Sequence, residues 1–254
     1  MDGWRDLEAE LALWRQAGAT PSFWWRADDA GAPSRALETL IALSERRRAP
    51  LHLAVAPAAV TKALSDALRG ARDVHALQHG FAHVNHEPPG ARASEVGRNR
   101  PLAAQLADLR EGWRRLRAAG LPNLLPALAP PWNRIAPETV AHLPRLGYRL
   151  LSTAGPRPTP TSAPGLAQVN IHYDPILWRE GPRFRGVDRT LASLVRHLAE
   201  RRTGQVDRDE PTGLMTHHLD TDGEAWAFLD TLLERLAHRE AGVWVRLVEI
   251  TGEA

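Results

Sequence analysis

A distorted, seven- or eight-fold β/α barrel with parallel strands and covering helices is the fold class this sequence predicts. Strand-like and helix-like segments alternate from residue 22 to residue 250, the pattern of parallel strands with helical crossovers. The polar residues able to do chemistry fall at strand exits, where a parallel barrel gathers its reactive groups on one rim. No internal repeat or domain boundary interrupts the 254 residues, so one domain is expected over 1–254. A doubly wound sheet would give similar periodicity; seven or eight units favour the barrel.

A helix opens the chain (1–18), because Trp4, Leu7, Leu11 and Trp14 recur three or four apart. The barrel proper is expected over 20–250. Its strands are the apolar runs near 22–28, 50–56, 74–79, 124–130, 148–153, 167–173, 212–217 and 243–250. Helical periodicity lies near 34–48, 58–69, 101–119, 136–146, 187–202 and 223–239. Residues 84–100 are a polar excursion, and the proline-rich 155–166 is expected to be neither helix nor strand.

Composition narrows the function classes. Apolar residues make up 43% and charged residues 24%, which suits an ordinary globular core. Lys62 is the only lysine, and acids nearly balance the arginines at a net charge of +2. No basic stripe marks a nucleic-acid partner. With no cysteine, any metal would use nitrogen and oxygen ligands. The polar start carries no signal core and no run is long enough for membrane insertion; a cytoplasmic protein is expected.

Asp28 and Asp29 close the first strand, and His79-Gly80-Phe81-Ala82-His83 closes the third. One aspartate with two histidines makes a candidate first-row metal site, and the other aspartate is left free as a base. Pro130-Pro131-Trp132-Asn133-Arg134 follows the fourth strand, His172 and Asp174 the sixth, and His217-His218 the seventh. Taken singly, an Asp-Asp pair is usually a turn or cap, and two histidines four apart are usually coincidence. Their joint occurrence, in order and each after a strand, points to a metal-dependent hydrolase.

These residues resemble the motifs of the polysaccharide deacetylases, the NodB-homology group of carbohydrate esterases. Arg26-Ala27-Asp28-Asp29 resembles the family's Thr-Phe-Asp-Asp strand end. His79 to His83 resembles His-(Ser/Thr)-x-x-His, with Gly80 at the hydroxyl position. Ala129-Pro130-Pro131-Trp132 resembles Arg-x-Pro-(Tyr/Phe), and Leu214-Met215-Thr216-His217 resembles Leu-x-x-His. Asp174 and Trp178 loosely echo the Asp-and-Trp motif. The likeness spans residues 22 to 218.

The resemblance implies that Asp29, His79 and His83 hold one divalent metal, most simply zinc. It implies Asp28 as the base acting on water, the Trp132 N–H as oxyanion donor, and His217, held by Asp174, as the acid for the leaving amine. His218 is the alternative acid. Ala129 stands where the family carries an arginine that orients the aspartate, so Arg26 or Arg134 is expected to supply that charge. His86 is a candidate fourth ligand, more readily read as a loop histidine. Glu95, Arg98, Trp178, Arg183 and Arg185 are candidate substrate contacts over the rim. His52, His75, His142, His197 and His238 are assigned no role. The implied substrate is an N-acetylated sugar or a related small amide. Alternatives are an allantoinase-like hydrolase of a non-sugar amide and a non-catalytic carbohydrate-binding barrel.

Overall fold

The computed structural model describes residues 2–179, 181–237 and 241–251; His238 lies outside them. Seven parallel strands form the body: β1 (Ser22–Ala30), β2 (Leu51–Val55), β3 (Val74–His79), β4 (Leu124–Ala129), β5 (Leu150–Leu151), β7 (Leu166–Gln168) and β10 (Thr212–Thr216). A short β6 (Thr161–Ala163) pairs antiparallel with β7, and β11 (Val243–Trp244) pairs with β1 beside β10. A separate hairpin joins β8 (Ile176–Leu177) to β9 (Arg183–Phe184). The helices are α1 (Gly3–Gln16), α2 (Arg35–Arg47), α3 (Lys62–Leu68), α4 (Leu102–Ala119), α5 (Pro137–Val140), α6 (Val187–Arg202), α7 (Gly223–Leu236) and α8 (Leu247–Thr251). None among the described residues is long and apolar enough to cross a membrane.

The sheet runs β10-β1-β2-β3-β4-β5-β7-β6. Between β7 and β10 there is no ladder. Residues 169–173 continue from β7, bonding β5 on one side and Gly213 and Met215 on the other, with a single parallel bridge between Tyr173 and Leu214. The ring of strands is thus joined at a short seam.

Strand alternation sorts the side chains. Phe23, Trp25 and Ala27 of β1 pack outward against α1, α2, α6 and α7. Trp24 points inward with Ala54, Leu77, Leu125, Ala127, Leu150, Val169, Ile171 and Met215. Arg26 and Asp28 share that inner face by the same period. Because β1 is covered on both sides, its residues 23–28 are all buried, the signature of a central parallel strand. The outer helices start where the sequence supplies a side-chain acceptor: Asp2, Ser34, Thr61 and Asp222 cap α1, α2, α3 and α7.

Three expectations are corrected. Residues 243–250 are not one strand: only Val243 and Trp244 pair, after which α8 turns under the barrel. Leu247 joins the inner core there, and its N–H donates to His52 Nε2 at 3.0 Å. The bottom is therefore closed by α8, while α1 joins the outer layer, tied to α6 by a Glu10–Arg202 ion pair at 2.7 Å. The proline-rich stretch does contain strand, since β6 folds onto β7. The helix expected over 136–146 is α5 followed by a separate 3-10 turn, Leu143–Leu146, because Pro144 interrupts it.

Candidate active site

Two consecutive aspartates cannot both face inward from a regular strand. Here the register with β2 shifts between Ala27 and Ala30, and Asp29 takes a left-handed φ of 67°. That bulge re-aims Asp29 so that both carboxylates line one cavity. The cavity measures about 300 Å³ and is lined by Asp28, Asp29, His79, His83, Trp132, Asn133, Arg134, Asp174, Trp178, Met215 and His217.

Asp29 Oδ1 lies 3.3 Å from His79 Nε2 and 3.5 Å from His83 Nε2. Two ligand atoms held ~2.1 Å from one ion at a tetrahedral angle would lie about 3.4 Å apart. The donor set therefore fits a zinc-sized cation. The hydrogen bond behind it also fits: His79 Nδ1 faces the Ala129 carbonyl at 2.9 Å. An N–H on Nδ1 leaves the Nε2 lone pair aimed at Asp29, the usual support for a ligating imidazole. Burial raises the Asp29 pKa, but His79 and His83 outweigh it and hold the carboxyl far below its usual range.

Asp28 is differently held. Arg26 Nε and Nη2 donate to its two oxygens at 2.7 and 2.9 Å, and neither residue is more than 3% exposed. The guanidinium also reaches Ser152 Oγ at 2.8 Å, Asn133 Oδ1 and Met215 Sδ. Burial opposes ionisation of Asp28, but Arg26, with His79 and His217, keeps its pKa below the ordinary carboxylate value. The charge missing at Ala129 thus comes from β1 itself, two residues before the aspartate. Arg134 does not supply it; its Nη1 donates to the Ala93 carbonyl at 2.7 Å.

The loop carrying the histidines depends on Glu95. Its carboxylate accepts N–H groups from Phe81 and Ala82 at 2.8 Å and from Val84 at 3.3 Å. Gly80 has a φ of +52°, and a Cβ there would collide with Glu95 and the Pro131 ring. Glu95 is therefore a buried brace for the His79–His83 loop, not the rim contact expected from sequence. His86 is exposed and bonds Ser94 through its backbone; it does not join the ligand cluster. Arg98 pairs with Glu138 at 3.7 Å on the surface, and Arg185 Nη1 donates to the Asp174 carbonyl.

Across the cavity, His217 Nδ1 is buried without a hydrogen-bond partner, 4.0 Å from Asp174 Oδ2. Asp174 accepts from the Ile176 N–H and from Trp178 Nε1, both at 2.8 Å, and burial pushes its pKa up. Trp178 packs edge-on to His217 at 4.4 Å, and Trp132 lies 4.3 Å from the His83 ring. His217 shares the inner face with Met215, whereas His218 is turned into the wall. Trp132 and Asn133 both adopt left-handed φ values, 55° and 57°, which fold the Pro130–Arg134 turn over the cavity. Sequence reasoning missed Ser152, Asn133 and Met215 as anchors of Arg26. Inner-face alternation along β10 was the one available signal for Met215.

A second cluster lies at the seam. His172, His197 and Glu210 could also surround a cation by spacing alone. The Gly213 N–H, however, donates to His172 Nδ1 at 2.8 Å, so the proton of the neutral ring sits on Nε2. His172 and His197 stack at 3.6 Å, and Arg157 and Arg201 lie beside them.

No family model matches the chain, and no curated protein does. Solved structures do. A family 4 carbohydrate esterase from Streptomyces lividans, in complex with acetate, is 10% identical at a TM-score of 0.53, over 88% of this chain and 91% of its own. The peptidoglycan deacetylase PdaC from Bacillus subtilis is 10% identical at 0.55, over 92% and 91%. A pseudoenzyme of the same family from Bacillus anthracis is 10% identical at 0.53, over 92% of this chain and 66% of its own. The chain has the fold of the family 4 carbohydrate esterases, the group its motifs resemble.

Proposed function

We propose that this protein is a metal-dependent hydrolase that removes an acetyl group from an N-acetylated sugar or glycan. The observation that carries the reading is the division of labour between Asp28 and Asp29. One carboxylate faces two imidazole nitrogens at coordination spacing, and its neighbour is held apart by a buried arginine. Asp29, His79 and His83 would hold a divalent ion, most simply zinc, which when bound lowers the pKa of water toward ~7.

The remaining work falls to this chain's own side chains. Asp28 accepts the proton of the attacking water, and each of its oxygens keeps a lone pair after bonding Arg26. Arg26 keeps that carboxylate ionised and fixed in direction. The Trp132 N–H donates to the developing oxyanion, a contact whose loss typically costs roughly 100-fold or more. His217 delivers a proton to the leaving amine, with Asp174 close enough to steady the imidazolium. Trp132 and Trp178 offer flat faces for a sugar ring.

A hydrolase of a small non-sugar amide is favoured by one observation, the modest size of the cavity. Acetate release from acetylated amino sugars, set against ammonia or ring-opened product from cyclic amides, separates the two. The principal test is Asp28→Asn. It should retain bound zinc and lose at least 100-fold in acetate release; wild-type protein with no turnover on any acetylated sugar would refute the reading.

A further inference from the structure

Next to the candidate active-site cavity lies a larger groove of about 750 Å³, and the two share Asn133 and Arg134. Its walls come from the Pro130–Arg134 turn, α5 and the β6–β7 hairpin. Thr153, Thr159, Thr161, Ser162 and Gln168 give it a polar side, while Ile135, Val140, Leu151 and several prolines give it an apolar one. Arg134 is the only charged residue in that lining.

The surroundings of Arg134 are unusual for a partly buried cation. Nη1 donates to the Ala93 carbonyl, and Nε is buried with no hydrogen-bond partner. Among the described residues it forms no salt bridge, and the charge that bears on it most is another cation, Arg92. Burial and Arg92 together push its pKa down. Two neighbouring arginines, by contrast, each face an acid: Arg26 pairs with Asp28 at 2.7 Å, and Arg100 with Asp108 at 2.6 Å. A guanidinium whose Nε is shielded from water and which faces no counter-charge is well placed to receive an anion.

We infer that Arg134, backed by Arg92, receives an anionic substituent of the substrate at the junction of cavity and groove. The substrate class is then an N-acetylated sugar that also carries a carboxylate or phosphate. The substituent sits on the groove side of Arg134 while the acetamido group enters the cavity between Asp28 and His217. This rests on the hydrolase reading for the position of the acetamido group, but the anion contact is separable from it. Arg134 takes no part in bond breaking; it sets which sugars are held.

The test compares N-acetylglucosamine, its 6-phosphate and N-acetylglucosaminuronic acid. Affinities are measured by isothermal titration with and without added zinc, and acetate release is measured alongside. The proposal expects the anionic compounds to bind about tenfold or more tighter than the neutral one, as charge-assisted hydrogen bonds do. The ratio should shrink as salt is raised and collapse toward unity in Arg134→Gln. Arg134→Lys, which keeps the charge, should restore part of it, and Arg92→Gln should reduce it less. Which anionic compound is preferred distinguishes a carboxylate from a phosphate. Equal affinity for all three, or no binding by any, overturns the proposal, as does a preference that survives in Arg134→Gln. Anion preference without acetate release from any compound refutes the hydrolase reading and leaves the anion site standing.

Discussion

Among the described residues two sets of two histidines and a carboxylate stand close together, and their supporting hydrogen bonds run in opposite directions. At the mouth, the ring nitrogen of His79 that faces away from Asp29 meets a carbonyl. At the seam, the corresponding nitrogen of His172 meets a backbone N–H. The first arrangement presents a lone pair to a cation; the second presents a hydrogen to Glu210, 3.3 Å away. Neighbouring charge follows the same division. Among the described residues, the arginine hydrogen-bonded to an acid at the mouth is committed to Asp28, while the seam is flanked by Arg157 and Arg201. Spacing alone cannot tell the two apart; the direction of the supporting hydrogen bond can.

The sharpest way to break this comparison is to count ions. Purified protein should carry close to one zinc per chain, and His79→Ala or Asp29→Ala should abolish it, as read by elemental analysis. His197→Gln and Glu210→Gln should leave the content unchanged. Loss of zinc from a seam variant, with retention in the mouth variants, would reverse the assignment.

Arg26→Ala should have the next largest effect. It strands a buried carboxylate and should destabilise the fold by about 3–5 kcal/mol, measured by chemical denaturation. Its activity should fall as far as that of Asp28→Asn. A variant of near-native stability would mean that water or the rim already satisfies Asp28.

The seam makes a prediction about pH. Burial holds His197 neutral, with its pKa lowered to about 2, and burial also lowers that of His172. In the unfolded chain both take protons near ~6.5, so the unfolded state binds more protons across that interval. Stability should therefore be fully present above about pH 6.5 and decline as pH falls below it. Denaturation curves at stepped pH check this. A flat profile down to pH 4 would mean that the seam histidines accept protons while folded.

A smaller effect is expected at Gly80. Gly80→Ala forces a Cβ against Glu95 at a left-handed backbone, and should cost about 1–3 kcal/mol while loosening the His79–His83 loop. The denaturation midpoint and zinc affinity should move together; movement of the midpoint alone would detach Glu95 from the ion site.

Much of this architecture was legible because two periods write it into the chain. Apolar runs bounded by helical stretches announced β1 to β4 and β10, and the reactive residues stood at their ends. The failures have local causes. Val243 to Ile250 is largely apolar and rich in β-branched residues, as a buried strand would be, yet only Val243 and Trp244 join the β1 ladder before the chain turns beneath the barrel. The β6–β7 hairpin hid among prolines, which tolerate short edge strands. Arg26 was readable as the partner of Asp28, since residues two apart in a strand share a face. Glu95 was not, because nothing local ties a carboxylate to N–H groups 11 to 14 residues earlier.

Strand β1 also has a kinetic consequence. It bears both aspartates, and one of its flanking ladders is with β10, so Trp25 hydrogen-bonds a residue 191 positions further on. Contacts so distant along the polypeptide are slow to form. The candidate active site should accordingly mature late in refolding, with Trp24 and Trp25 emission changing after most helical signal has returned.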